Sequence, residues 1–182
     1  MDMKYYSGVG SRQTPPLVIA QMKGVGKMFA SFGWCLRSGG AAGADAAFEC
    51  GCDMARGRKE IYLPWKMFNY HLSERYNVST SALEYASKIH PVWNKLTDAA
   101  KKLHARNIYQ VLGEDLIEPS LFLVCWTPDG CERKEDRTRD TGGTGTAISI
   151  ASERGIPVYN LANRGRMEKM WYDLQAIFGE SI

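Results

Sequence analysis

The chain reads as an α/β domain, an open and mostly parallel sheet with helices on both faces. Three observations predict it. Strand-like and helix-like segments alternate along the whole length. Residues 121–126 (Leu-Phe-Leu-Val-Cys-Trp) are continuously apolar between Pro119 and Pro128, as expected of a strand covered on both faces. Three glycine-rich turns, at residues 7–12, 38–45 and 141–146, each close a strand and lead into a helix. With 182 residues and neither internal repeat nor linker, a single domain over 1–182 is expected.

The elements follow in order. Residues 3–7 form a first strand. Thr14 then serves as a helix N-cap with Pro15 at the first helical position, where a missing N–H does no harm. Leu17, Ala20, Val25, Met28, Phe29 and Phe32 recur at helical spacing until Gly33 stops the helix, with Gly24 and Gly26 as weak points. Residues 34–37 are a strand, 44–52 an Ala-rich helix, and 60–63 a third strand closed by Pro64. An irregular excursion, 65–80, precedes a short helix at 81–88 and the longest helical pattern at 94–112. After the buried strand, residues 131–140 are dense in charge of both signs and read as a mobile, solvated loop or a lid. A helix at 146–154, a strand at 156–160 and a helix at 167–178 complete the chain.

In such sheets ligands sit at the carboxyl ends of the strands, and all three glycine turns fall at that edge. Backbone N–H groups at a helix N-terminus, unobstructed by side chains, form an anion site. Together the turns point to a phosphate-bearing ligand.

Composition narrows the classes. An apolar fraction of 45% with 24% charged residues is ordinary for a globular protein. The net charge of +3 is mild, unlike the strongly basic face of a dedicated nucleic-acid binder. No apolar run is long enough to span a bilayer, and the N-terminus lacks a signal peptide's apolar region, so a cytoplasmic location without membrane contact is expected. Five cysteines without framework spacing and three scattered histidines imply reduced thiols and no metal site. No cofactor is implied.

Gly10-Ser11-Arg12 with Thr14-Pro15, then Ser38-Gly39-Gly40-Ala41 with Gly43 and Asp45, resembles the G-S-R and S-G-G-A-x-G-x-D pattern of DprA. Gly142-Gly143-Thr144-Gly145-Thr146, with Arg106 on a helix before a buried strand, is similar to the G-G-x-G-T phosphate loop and arginine of LOG-type phosphoribohydrolases. Both belong to the Rossmann-like SLOG superfamily, and the resemblance runs from Met3 to about Asn160, nearest to compact phage- or plasmid-type DprA-like proteins. Two positions depart from the LOG pattern. Ser149 stands where LOG enzymes carry a glutamate, and Asn107 where a lysine usually follows the arginine. DprA is a larger protein with flanking domains, whereas these 182 residues are expected to hold the Rossmann-like unit alone.

These motifs assign candidate ligand contacts to Gly8, Gly10, Ser11 and Arg12; to Ser38, Gly39, Gly40, Gly43 and Asp45; to Arg106 and Asn107; and to Gly142, Gly143, Thr144, Gly145 and Thr146. Arg12 either clamps a phosphate in bidentate fashion or is a surface arginine. Asp45 and Glu49, at i and i+4, share a helix face. Asp45 either caps the helix, bonds a ribose, or assists N-glycosidic cleavage; Asp45, Glu49 and Arg106 are the catalytic candidates. His104 reads as structural, lacking a visible partner. Trp65, Phe68, Asn69 and Tyr70 either stack on a base or pin the excursion to the core. Asp129 bonds a ribose or serves a Pro-Asp-Gly turn.

Three functions compete. The first is a sensor or sequestering protein for a nucleotide or nucleotide-derived ligand. The second is a LOG-like N-glycosidic hydrolase or transferase acting on nucleoside monophosphates. The third is a DprA-like binder of single-stranded DNA. The 167–178 helix is apolar enough either to pair two copies into a homo-oligomer or to pack on the sheet.

Overall fold

Five parallel strands make one sheet in the order β3-β2-β1-β4-β5: β1 (Tyr5–Gly8), β2 (Cys35–Ser38), β3 (Arg58–Ile61), β4 (Leu123–Cys125) and β5 (Val158–Asn160). The structure is a computed structural model that describes residues 3–179. Six α-helices connect and cover the strands among these residues: α1 (Pro16–Ser31), α2 (Ala44–Met54), α3 (Thr80–Ile89), α4 (Asp98–Leu112), α5 (Gly145–Glu153) and α6 (Arg166–Phe178). The chain steps outward from β1 to β3, then returns beside β1 and steps outward the other way through β4 and β5. That reversal leaves a crevice between the ends of β1 and β4.

Alternation along β4 explains the continuous apolar run. Phe122 and Val124 join the core beneath α1, α2 and α6, while Leu123 and Cys125 join the core beneath α3, α4 and α5. All four are essentially solvent-free. In the first core Phe29 is the hub, with ring centroids 4.8 Å from Tyr6, 5.1 Å from Phe122, 5.2 Å from Trp34 and 5.3 Å from Trp171. Met170 and Leu174 of α6 are buried in the same core. The apolar face that offered a pairing surface is thus largely spent on the sheet.

Several boundaries move for identifiable reasons. Helix α1 starts one residue later than expected, with Pro15 as the cap residue and Pro16 first in the helix. Thr14 does not cap it; its hydroxyl donates to Ser11 O at 2.7 Å and closes the first glycine turn. Two consecutive prolines remove amides from the start of α1, so this turn has little helix N-terminus behind it. The charged segment 131–140 is pinned, contrary to expectation. Arg166 pairs with Glu132 at 2.6 Å, Lys134 with Glu153, and Arg137 donates to Ser149 Oγ at 2.9 Å. Asp129 accepts from the hydroxyls of Thr138 and Thr141. Burial works to raise the Asp129 pKa, but the hydrogen bonds from Thr138, Thr141 and Thr127 outweigh it and hold the carboxyl at about 2.

The glycines that weaken α1 on paper have different fates. Gly24 faces open space, whereas a Cβ on Gly26 would lie 2.4 Å from Phe48 O. A Cβ on Gly51 would lie 2.1 Å from Lys23 O, so α1 and α2 cross nearly backbone to backbone. Gly51→Val is expected to cost about 2–3 kcal/mol through this overpacking. The check is urea unfolding, with a lower midpoint and an unchanged slope.

Candidate functional site

A cavity of about 430 Å³ opens in the crevice at the carboxyl edge, within the size range of small-molecule sites. Five pieces of chain wall it: residues 9–13 after β1, Ala41 and Asp45 around the start of α2, one face of α4, Pro128 after β4, and residues 140–144 with Ala147 of α5.

The second glycine turn is already occupied by the protein's own carboxylate. Asp45 lies in the first turn of α2, where the helix dipole favours an anion, and accepts from Ala41 N at 3.3 Å and from the Gly10 amide. Arg106 reaches it from α4, with Nη1 3.2 Å from Oδ2; both side chains are more than nine-tenths buried. Burial pushes the Asp45 carboxyl up and the Arg106 guanidinium down, each opposed by the partner's charge. The Arg106 charge persists beside the carboxyl because arginine does not surrender its proton in proteins. Arg106 lies across Gly39 so closely that a Cβ there would sit 1.2 Å from Nη1. Among the described residues its Nε has no hydrogen-bond partner.

Amides connect this pair to the third turn. With its amide turned to satisfy its neighbours, Gln110 accepts from Gly39 N at 2.9 Å and from Arg106 Nη1 at 3.2 Å. Its nitrogen donates to Asn107 Oδ1 at 2.8 Å. Asn107 Nδ2 in turn donates to Gly143 O at 2.9 Å. Around Gly142 and Gly143 the space is open where side chains would project, leaving bare backbone toward the cavity.

The expected site residues therefore divide. Gly10, Ser11, Arg12, Asp45, Arg106, Asn107, Gly142, Gly143 and Thr144 come together around the cavity. The others do not line it. A Cβ on Gly8 would strike the Phe48 ring at 2.6 Å, and Ser38 Oγ donates to Gly8 O at 2.6 Å. Gly40 (φ 65°) accepts from Asn69 Nδ2 at its carbonyl, and Gly43 (φ 83°) packs on Ser11 and Arg12. Gly145 lies under Arg137. Glu49 is not brought to the cavity. It faces β3 and the excursion, paired with Lys59 at 2.8 Å and His71 at 2.9 Å. Trp65, Phe68, Asn69 and Tyr70 do not line the cavity either; Phe68 is buried in the core and Tyr70 is 90% exposed.

Gln13, His104, Gln110, Asp140 and Thr141 line the cavity without having been assigned to it from sequence. A signal existed for α4: Ala100, Leu103, His104, Asn107 and Gln110 recur at helical i, i+3, i+4 spacing and mark one face. His104 has a partner after all, since its Nδ1 lies 2.8 Å from Thr146 Oγ1. Among the described residues neither Arg12 nor Arg137 forms an ion pair.

No protein-family model matches the chain, and no curated protein matches it in sequence. Among solved structures it is similar to the Moco carrier protein of Chlamydomonas rheinhardtii, at 18% identity and a TM-score of 0.53, covering 97% of this chain and 86% of that one. Weaker likenesses are to the molybdenum cofactor binding protein of the phototrophic bacterium Rippkaea orientalis (13%, TM-score 0.45, 96% and 98% covered) and to DNA processing protein A of Helicobacter pylori (14%, TM-score 0.41, 93% and 81% covered). The first of these likenesses is one of fold, and that fold is the Rossmann-like one expected from the SLOG resemblance.

Arg106→Ala leaves Asp45 buried without its counter-charge and is expected to lower stability by about 3–5 kcal/mol at neutral pH. The unpaired carboxyl then titrates well above its unfolded value. The deficit is therefore smallest in acid, below the unfolded carboxylate pKa, and grows as pH rises through the folded one. Urea unfolding across that range checks both magnitude and sign.

Proposed function

We propose that the protein binds a nucleotide or nucleotide-derived phosphate ligand in the cavity between the first and third glycine turns and holds it intact, as a sensor, carrier or sequestering protein. One observation carries this reading. The cavity wall combines the bare backbone of Gly142 and Gly143 with the Arg12 guanidinium, which forms no ion pair among the described residues, beside the buried Asp45–Arg106 pair. A guanidinium without a protein counter-charge beside open backbone is suited to an anion brought from outside. The fold shared with a carrier protein for Moco is in keeping with holding rather than converting a ligand. The cavity's size fits a single nucleotide better than a strand of DNA.

The hydrolytic reading keeps one supporting observation, that Asp45 reaches the cavity with its carboxyl pushed up by burial. Against it, the Asp45 charge is committed to Arg106 and two backbone amides, and Glu49 lies elsewhere.

The test is mass spectrometry of the purified protein with nucleoside mono-, di- and cyclic nucleotides and the molybdenum cofactor, scoring bound ligand and released products. Retention of an intact ligand is expected. Arg12→Ala should weaken it about 10- to 100-fold, the worth of hydrogen bonds to a charged group. Release of a free base would replace this reading with the hydrolytic one. Binding of none of these ligands would overturn both.

A further inference from the structure

His104 lines the cavity from α4. The charged groups that act most on it are cations or become so on protonation, while the carboxylates of Asp45, paired with Arg106, and Asp140 line the same cavity. The His90 ring, just beyond α3, has its centroid 4.2 Å from that of His104. Arg137 reaches in from the pinned charged segment, and Arg106 lies on the same helix. From α5 the neighbour is Thr146, whose hydroxyl meets Nδ1. Among the described residues no carboxylate forms an ion pair with either ring. Nor does His104 Nε2 have a protein partner among them.

We propose that His104 is a proton-gated contact for the phosphate group of the bound ligand, so that the protein takes up a proton on His104 when it takes up the anion. This inference rests on the ligand-binding reading of the cavity. In the empty protein, burial first, then His90, Arg137 and Arg106, hold the His104 pKa down to about 4, so the ring is neutral near pH 7. A phosphate bringing nearly two negative charges beside it reverses that balance.

The partner on the other nitrogen permits the change. A threonine hydroxyl donates to a bare Nδ1 and accepts from a protonated one, so Thr146 satisfies the ring in both states. A fixed backbone donor in its place would oppose the proton. His71 illustrates the contrast in geometry: its Nδ1 meets a backbone donor, Ser73 N, at 3.0 Å. His90 and Arg137 set the height of the barrier to protonation and so the selectivity for an anionic group over a neutral one.

The experiment is calorimetric titration of the whole protein with AMP and with inorganic phosphate in buffers of different ionisation enthalpy, across about pH 5 to 8. Expected is uptake of about one proton per ligand by His104, with affinity falling up to about tenfold per pH unit over the linked window. His104→Gln removes that proton and leaves only the titration of the phosphate itself, near pH 6. A second reading needs no variant: the His104 ring proton shift, followed by NMR, should titrate in the acid range without ligand and near neutrality when saturated with AMP. Binding with no proton uptake beyond that of the variant, or a His104 titration unmoved by AMP, overturns the gating and leaves ligand binding intact. Failure of both probes to bind at any pH overturns the gating, and the nucleotide reading falls with it only if the wider panel of nucleotides and the molybdenum cofactor also fails to bind.

Discussion

The ion pair between Asp45 and Arg106 joins the start of α2 to the middle of α4 over the carboxyl ends of the strands, and both partners are more than nine-tenths buried. Desolvating two charges is costly, and their attraction offsets that cost only when the surrounding lone pairs and protons are also satisfied. Here the backbone contributes, with Ala41 N and the Gly10 amide on the carboxylate. The glycines of the second turn are therefore explained by geometry: Gly39 is where a guanidinium must lie flat against backbone. A turn that reads as a phosphate loop thus holds an internal anion, and the glycine backbone that lines the cavity comes from the first and third turns.

From that pair a line of amides runs through Gln110 and Asn107 to Gly143. Each link uses a donor and an acceptor that cannot be exchanged without breaking its neighbour, so two loops more than a hundred residues apart in sequence are held in fixed relation by one helix face. Pre-set loops spare a ligand the conformational entropy of ordering them. The threonine bonds to Asp129 do the same for the segment leading into the third turn.

The sheet was legible because its strongest signals are local: an apolar run between prolines, and glycines at fixed places after strands. The lining of the candidate cavity was legible where backbone carries it, at Gly10, Gly142 and Gly143, and at Arg106 and Asn107, which the LOG resemblance supplied. It was not legible where partners come from afar. Asp45 and Glu49 do share a helix face, yet their roles part because Lys59 and His71 meet Glu49 from β3 and the excursion, whose path no periodicity reveals. His104 looked partnerless because Thr146 and His90 arrive from other helices. The charged segment 131–140 looked solvated because mixed charge reads the same whether its partners are water or the ends of α5 and α6.

Ser149 and Asn107 lie on the two helices that flank the third turn, and each occupies a position that is charged in the LOG pattern. A lysine at 107 would sever the amide line, since it offers no acceptor to Gln110. A glutamate at 149 would meet Arg137, which now has only a hydroxyl there, and would neutralise it. As the chain stands, a neutral side chain at each position keeps the amide line whole and leaves Arg137 without an ion pair among the described residues. An unpaired guanidinium near the third turn is thus carried by the segment before α5.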